Sequence, residues 1–321
     1  MTGAWTWHGG GLEAAKRRFG GDDWIDLSTG INPHAWPTGA MAFDWQRLPD
    51  TNALARLEVV AASYFGLAAQ HVCAVPGTEI GLRLVGSLIG GPAQHIAPSY
   101  RTHGDMIHDT SAIEASAAQN STGNLILANP NNPDGRTVGA ERVRTLLDGR
   151  DGWLLVDEAF ADVDPAHSVA PSIDDARRLI VFRSFGKFFG LAGLRLGFVL
   201  APQAIVAALR ERLGAWPLSA AAIAIGTAAY ADADWIAATR QRLPEEAAAL
   251  DAVLVRSGFQ PIGACPLFRL IETGDAHALF ERLAARAILA RPFADQPHWL
   301  RIGLPADANA LARLEAALTD G

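Results

Sequence analysis

The sequence predicts an α/β chain: a mainly parallel sheet with helices on both faces, followed by a smaller α+β domain. Three observations carry this. Short apolar runs alternate with helical patterns between about residues 70 and 205. Most of these runs are apolar without alternation, as strands covered on both faces must be. After residue 205 the pattern gives way to alanine-rich stretches, then to isolated strand runs around one helix.

The expected domains are an N-terminal arm (1–45), a large domain (46–205) and a small C-terminal domain (206–321). Residues 30–50, rich in Pro and Trp, read as extended chain leading into the large domain. Strands are expected at 71–75, 94–97, 124–128, 153–156, 179–182 and 196–200, with helices at 79–89, 102–107 and 140–147 between them. Beyond these, 204–213 and 219–257 read as helices, the second interrupted near Pro244. Strands at 267–271 and 299–302 flank a helix at 277–287. In such open sheets ligands bind at the carboxyl ends of the strands.

Composition sets limits on function. Half of the 321 residues are hydrophobic and only 19% are charged, so the chain can bury a substantial core. A formal charge of −7 argues against general nucleic-acid binding. The two cysteines, Cys73 and Cys265, have no metal-ligand or redox spacing and read as small buried hydrophobes. No other grouping suggests a metal. No secretory signal is evident at the N-terminus, and no apolar run reaches membrane-spanning length, so a soluble cytoplasmic protein is expected.

The most informative stretch is Ser184-Phe-Gly-Lys187-Phe-Phe-Gly-Leu-Ala-Gly-Leu-Arg195. A surface lysine is the ordinary reading of a lone Lys. Here Phe185, Phe188, Phe189, Leu191 and Leu194 flank it, and a solvated face does not look like that. A P-loop is excluded because Phe188 stands where Ser or Thr is needed. Apolar burial and nearby cationic charge both favour the neutral amine that Schiff-base chemistry requires. A serine hydroxyl and an arginine fork suit a phosphate. A lysine carrying an aldehyde, with Ser184 and Arg195 on a phosphate, describes pyridoxal phosphate.

Other residues join this constellation. Gly77-Thr78-Glu79 closes a strand and opens a helix, where free N–H groups would face an anion, although an ordinary tight turn has the same composition. Tyr100 follows the next strand and could stack on a pyridine ring or simply cap the sheet. Asn132, in Asn129-Pro-Asn-Asn-Pro-Asp-Gly135, could donate to a phenolate oxygen. Asp157 ends a buried strand, and a protonated pyridine nitrogen would offset the cost of burying its charge. A metal bound by Asp157 and Glu158 together is disfavoured, since adjacent strand residues point to opposite faces.

In this order, Gly77-Thr78-Glu79, Tyr100, Asn132-Pro-Asp-Gly135, Asp157, Ser184-x-x-Lys187 and Arg195 resemble the class I/II aminotransferase family of fold-type I pyridoxal-phosphate enzymes. The resemblance covers about residues 25 to 305 and implies a mainly parallel seven-stranded sheet in the large domain. It also implies that Lys187 bears the cofactor, Asp157 pairs with its ring nitrogen, Asn132 meets the ring hydroxyl and Tyr100 stacks. Ser184, Arg195 and the Gly77-Thr78-Glu79 turn would hold the phosphate. Arg301, in Trp299-Leu-Arg-Ile-Gly303, matches the arginine that binds the substrate α-carboxylate.

Two positions depart from the family pattern. Phe160 replaces a tyrosine that donates to the ring oxygen, so the cofactor–lysine imine should hold its proton more tightly. Leu48 replaces a tyrosine that reaches the neighbouring subunit's phosphate. Within the family, His8-Gly-Gly10, Asp26-Leu-Ser-Thr-Gly-Ile-Asn32-Pro33 and the segment from Arg183 resemble members that decarboxylate a phosphorylated amino acid. Aminotransferases of phosphorylated amino acids are the alternative. Such a substrate needs a second anion site, for which Arg291 is the best candidate, joined by His8 if the N-terminus folds back over the site, with Arg136 a weaker one; Asn32 is a further substrate-binding candidate. The resemblance also implies a homodimer with the active site at its interface.

Overall fold

The computed structural model describes residue 5 and residues 8–319. The helices are α1 (Leu12–Phe19), α2 (Thr51–Phe65), α3 (Thr78–Ile89), α4 (Thr102–Asp105), α5 (Ala140–Asp148), α6 (Phe185–Phe188), α7 (Gln203–Leu213), α8 (Ala220–Ala231), α9 (Ala233–Arg256), α10 (Ala276–Ala284) and α11 (Ala308–Thr319). The strands are β1 (Ile25–Asp26), β2 (Val72–Val75), β3 (Ala93–Ile96), β4 (Thr110–Ile113), β5 (Asn124–Ala128), β6 (Leu154–Asp157), β7 (Leu179–Ser184), β8 (Gly197–Leu200), β9 (Phe268–Glu272), β10 (Ile288–Leu289), β11 (Arg291–Pro292) and β12 (Trp299–Gly303).

The chain divides into two compact units. The larger holds residues 35–132 and 136–238; the smaller holds the chain up to His34, Pro133–Gly135 and the chain from Thr239 onward. The boundary therefore falls inside α9, not near residue 205 as expected. The reason is packing: α7 lies against α3 and α8 against α2, which keeps both helices in the larger unit. Residues 35–45, expected in the N-terminal arm, also belong to it.

The larger unit is built on a seven-stranded sheet in the order β2-β8-β7-β6-β5-β3-β4. Pairing is parallel from β7 through β4, and β8 runs antiparallel to both neighbours. The central strands are apolar because both faces are covered: Leu125, Ile126, Leu154, Leu155, Ile180 and Val181 are all but fully buried. All six strands expected in this region form. The seventh, β4, went unpredicted because its Thr-Ser-Ala-Ile sequence sits at an edge, half exposed, without an apolar run.

The 219–257 stretch breaks at Asp232 and not at Pro244, which lies within α9. Asp232 ends α8 and its carboxylate accepts the Trp235 N–H at 3.1 Å, capping the next helix. An interior proline costs a helix about 3 kcal/mol. Here Leu243, Ala247, Leu250, Val253 and Leu254 bury one face of α9 and offset that cost.

In the smaller unit β12 is the centre of an antiparallel sheet between β11 and β9. The N-terminal chain pairs β1 with β10, and the Gly303 N–H donates to the Leu27 carbonyl at 2.7 Å. Helix α10 starts where Asp275 accepts from the His277 and Ala278 N–H groups, and it buries Leu279, Phe280 and Leu283. Among the described residues no helix is long and apolar enough to cross a membrane.

Candidate active site

The expected cofactor residues of the larger unit gather where the parallel strands end. Asp157 is the last residue of β6, Ser184 the last of β7, and Gly77 follows β2. Tyr100 follows β3 and Asn132 follows β5. Lys187 sits in the single turn of α6, half-buried, while Phe185, Phe188 and Phe189 beside it are fully buried. Phe189 stacks on Phe185 at 4.6 Å and on Trp235 at 5.5 Å between ring centroids. The turn is tight enough that a Cβ on Gly186 would lie 2.6 Å from the Ala192 Cα. This aromatic packing fixes the backbone on either side of the lysine.

The Lys187 Nζ lies 5.6 Å from the centroid of Phe160, which is buried. That ring offers a cation–π face and no hydroxyl. The departure at Phe160 is therefore a feature of the lysine's own surroundings.

Two adjacent carboxylates end β6 and serve different ends. Glu158 turns into the core, where it accepts from Arg183 Nη1 at 2.9 Å, from the Ser168 hydroxyl and from the Val169 N–H. Arg183 also pairs with Asp162 and lies 4.7 Å from the Phe65 ring centroid. Burial opposes its charge, but Asp162 and Glu158 outweigh that and hold its pKa above the ordinary arginine value. This network pins the end of β7, one residue before Ser184.

Asp157 faces the other way. Its Oδ2 is 2.9 Å from His103 Nε2, and its Oδ1 accepts the Ala159 N–H at 3.0 Å. His103 is fully buried with no hydrogen bond to Nδ1. The Nε2 contact holds the ring and the carboxylate in fixed mutual orientation. His103 was missed in the sequence, where a histidine in a four-residue helix gives no spacing signal. A carboxylate can accept about four hydrogen bonds, so Asp157 keeps capacity for a further N–H donor.

Arg195 is exposed and covers Gly77: a Cβ there would lie 2.5 Å from its Nη2, at a Gly77 φ of +89° that favours glycine anyway. Arg195 itself takes φ 56° and ψ 54°, a left-handed conformation uncommon for a side-chain-bearing residue. The guanidinium is thereby placed over the turn that opens α3, whose first N–H groups, Thr78 and Glu79, lack intrahelical acceptors. A backbone strained at a candidate phosphate site is the pattern expected of a positioned ligand group. The Glu79 side chain has partners the sequence gave no hint of: Arg83, Tyr100 and Thr102.

The expected substrate residues lie in the smaller unit, apart from Arg136. Arg301 on β12 is buried and stands opposite Arg291 on β11. Its Nη2 donates to the Ser28 carbonyl at 2.8 Å. Burial, then the charge of Arg291, pull the Arg301 pKa down to about 9. Ser28 also links the two N-terminal motifs: its hydroxyl accepts the Gly10 N–H at 2.7 Å and donates to Asp26. A Cβ on Gly9 would lie 2.5 Å from the Ser28 carbonyl oxygen, so His8-Gly-Gly10 and the 26–33 segment pack as one patch. Asn32 is buried, its Oδ1 accepting the His34 N–H at 3.0 Å, while His8 is exposed. Arg136 belongs to the larger unit, where it lines a small apolar pocket with Ile96, Leu127, Arg142 and Leu146.

A lysine, a serine, an asparagine and a carboxylate collected at the carboxyl edge of this sheet define a fold-type I pyridoxal-phosphate architecture. The chain belongs to the aminotransferase class I and II family, which it matches over residues 86–317. It is 40% identical to a threonine-phosphate decarboxylase of a Sinorhizobium species, with 97% of each chain covered. Identity to the Pseudomonas aeruginosa threonine-phosphate decarboxylase is 38%, covering 97% of this chain and 96% of that one. Among solved structures, the pyridoxal-5'-phosphate complex of histidinol-phosphate aminotransferase from Sinorhizobium meliloti superposes with a TM-score of 0.86 at 22% identity, covering 97% of this chain and 94% of that one.

Proposed function

We propose that this chain is a pyridoxal-phosphate-dependent carboxy-lyase that converts L-threonine O-3-phosphate to (R)-1-aminopropan-2-yl phosphate and CO2. The observation that carries this reading is identity of 38–40% to threonine-phosphate decarboxylases along nearly the whole chain. The resemblance of its N-terminal motifs points to the same reaction, which belongs to cobalamin biosynthesis.

The residues fit the cofactor. Pyridoxal phosphate supplies an electron sink for the pair left on the α-carbon when the carboxylate departs. Lys187 would hold the cofactor through its aldehyde carbon, and its amine would deliver the proton to the α-carbon. Asp157, oriented by His103, holds the ring-nitrogen proton. Asn132 would donate to the ring oxygen, and Tyr100 would pack on the ring. Ser184, Arg195 and the Thr78 and Glu79 N–H groups hold the phosphate.

Arg301 would take the substrate α-carboxylate, Arg291 with His8 the substrate phosphate, and Asn32 would contact the substrate. Support for this comes from the electrostatics of the arginine pair: a buried cation facing a second cation gains most from an anion. The bond that breaks joins the α-carbon to the carboxyl carbon, and a proton replaces CO2.

The test is incubation of the pure protein with L-threonine O-3-phosphate. CO2 release with retention of the bound cofactor's aldehyde form is expected, together with loss of turnover and of the visible cofactor band in Lys187→Ala. Borohydride treatment should leave the pyridoxyl tag on the peptide containing Lys187; a tag elsewhere overturns the assignment. The second reading is transamination of histidinol phosphate or a related amino acid, favoured by 32% identity over 221 residues to a histidinol-phosphate aminotransferase of Dechloromonas aromatica. Stoichiometric conversion to the pyridoxamine form with that substrate would establish it.

A homodimer belongs to the same proposal. Trp45 and Leu48 are 73% and 65% exposed, and Val59 on α2 is 57% exposed. Beside them Pro49, Ala53, Ile223 and Ala228 line an apolar groove in the larger unit. A face of this kind on a soluble chain suits a second copy. Sedimentation equilibrium at micromolar protein should give twice the chain mass of 34.1 kDa; a monomer sinks this part.

A further inference from the structure

Glu79 is in an unexpected place for a negative charge. It is the second residue of α3, beside the N–H groups and the Arg195 guanidinium expected to hold a phosphate. A carboxylate directed at that site would repel the ligand. The side chain is instead turned to one flank and fully engaged. Its Oε1 accepts from Arg83 Nε at 2.7 Å, while its Oε2 accepts from the Tyr100 hydroxyl at 3.1 Å and the Thr102 hydroxyl at 2.8 Å. The same short segment carries His103, whose ring meets that of Tyr100 edge-on, 5.8 Å between centroids at 81°, and whose Nε2 reaches Asp157.

We propose that Glu79 is a positioning residue: through Tyr100 and Thr102 it fixes the plane of the Tyr100 ring against which the cofactor lies. This rests on the pyridoxal-phosphate reading above. Two features make the latch more than a helix-to-loop tie. First, the hydroxyl–carboxylate bonds are charge-assisted and half-buried, so they resist rotation of the ring about its own bonds. Second, the tyrosine proton is committed. Burial, then the Glu79 charge, raise the Tyr100 pKa. Tyr100 is thereby a platform and not an acid, burial being the larger cause and Glu79 the second. The Arg83 contact balances the carboxylate and draws its charge away from the turn at Gly77.

The experiment measures pyridoxal phosphate affinity by titrating protein stripped of cofactor, alongside the visible circular dichroism of the bound cofactor. Glu79→Ala should weaken binding about tenfold, the worth of one net charge-assisted hydrogen bond, and should reduce the dichroic band per bound cofactor. Glu79→Gln keeps the shape and part of the hydrogen bonding, and should stay within about threefold of the wild type. In a Tyr100→Ala background Glu79→Ala should cost less than about twofold, because interacting residues are non-additive.

Three outcomes overturn the proposal. One is an equal loss in both backgrounds, which would mean Glu79 acts without Tyr100. Another is tighter binding in Glu79→Ala, which would mean its charge merely opposes the phosphate. The third is unchanged affinity and dichroism in both Glu79 variants. Failure of the wild type to bind pyridoxal phosphate at all would instead sink the functional reading. Far-UV dichroism checks that each variant is folded.

Discussion

The candidate sites of the two units handle buried charge differently, although the smaller unit also pairs its buried Arg269 with Asp251. In the larger unit each buried carboxylate of the site has a partner supplied by the fold: Asp157 has His103, while Glu158 and Asp162 share Arg183. In the smaller unit two arginines stand opposite each other across β11 and β12, and like charges so placed destabilise a sheet. Burial and Arg291 together pull Arg301 down to about 9. The difference teaches which part is preassembled. The carboxylates of the larger unit are held by partners from the fold, whereas the smaller unit sets one guanidinium against another, and positive charge so concentrated suits an anionic ligand.

Replacing an arginine by methionine in each unit should have opposite consequences. Arg183→Met would leave Glu158 and Asp162 buried without their cation, at a cost of about 3–5 kcal/mol in stability. Denaturant unfolding should show the loss; an unchanged midpoint would mean the network is dispensable. Arg301→Met removes a cation that already faces another one, so stability should stay within about 1 kcal/mol of wild type. Its penalty should fall on function, with kcat/KM for the phosphorylated substrate down about 100-fold through loss of a bidentate ion pair. If Arg301→Met unfolds the protein as readily as Arg183→Met does, the contrast between the units fails.

The smallest expected effect concerns the thiols, one in each unit. Burial chiefly pushes both Cys73 and Cys265 up to about 12. Thiolate is the reactive form, so at pH 8 the native protein should react with a thiol reagent far more slowly than the unfolded chain, which exposes both. As urea is raised, Cys265 should become reactive before Cys73, because the smaller unit carries the arginine repulsion. Simultaneous exposure would show the two units to unfold as one.

The residues at the ends of β2, β6 and β7 were legible because strand-end chemistry is local. A buried apolar run followed by Gly77, Asp157 or Ser184 announces both the element and the position of its last side chain. His103 and Glu79 were not legible in their roles, since each acts on a residue 54 or 21 positions away. Pro244 misled for the converse reason: its local cost is real, and tertiary burial of α9 outweighs it. The domain boundary failed similarly, because alanine-rich α7 and α8 carry no mark of which unit they cover.

The positions of six of the seven large-sheet strands along the chain, the apolar flanks of the lysine and the chemistry available at the strand ends were readable from hydrophobic period and residue type. Which carboxylate meets which base, which helix covers which unit, and that two arginines 10 positions apart face each other were decided only in three dimensions. Side-chain partnerships depend on direction and burial, and a linear pattern specifies neither until the chain has packed.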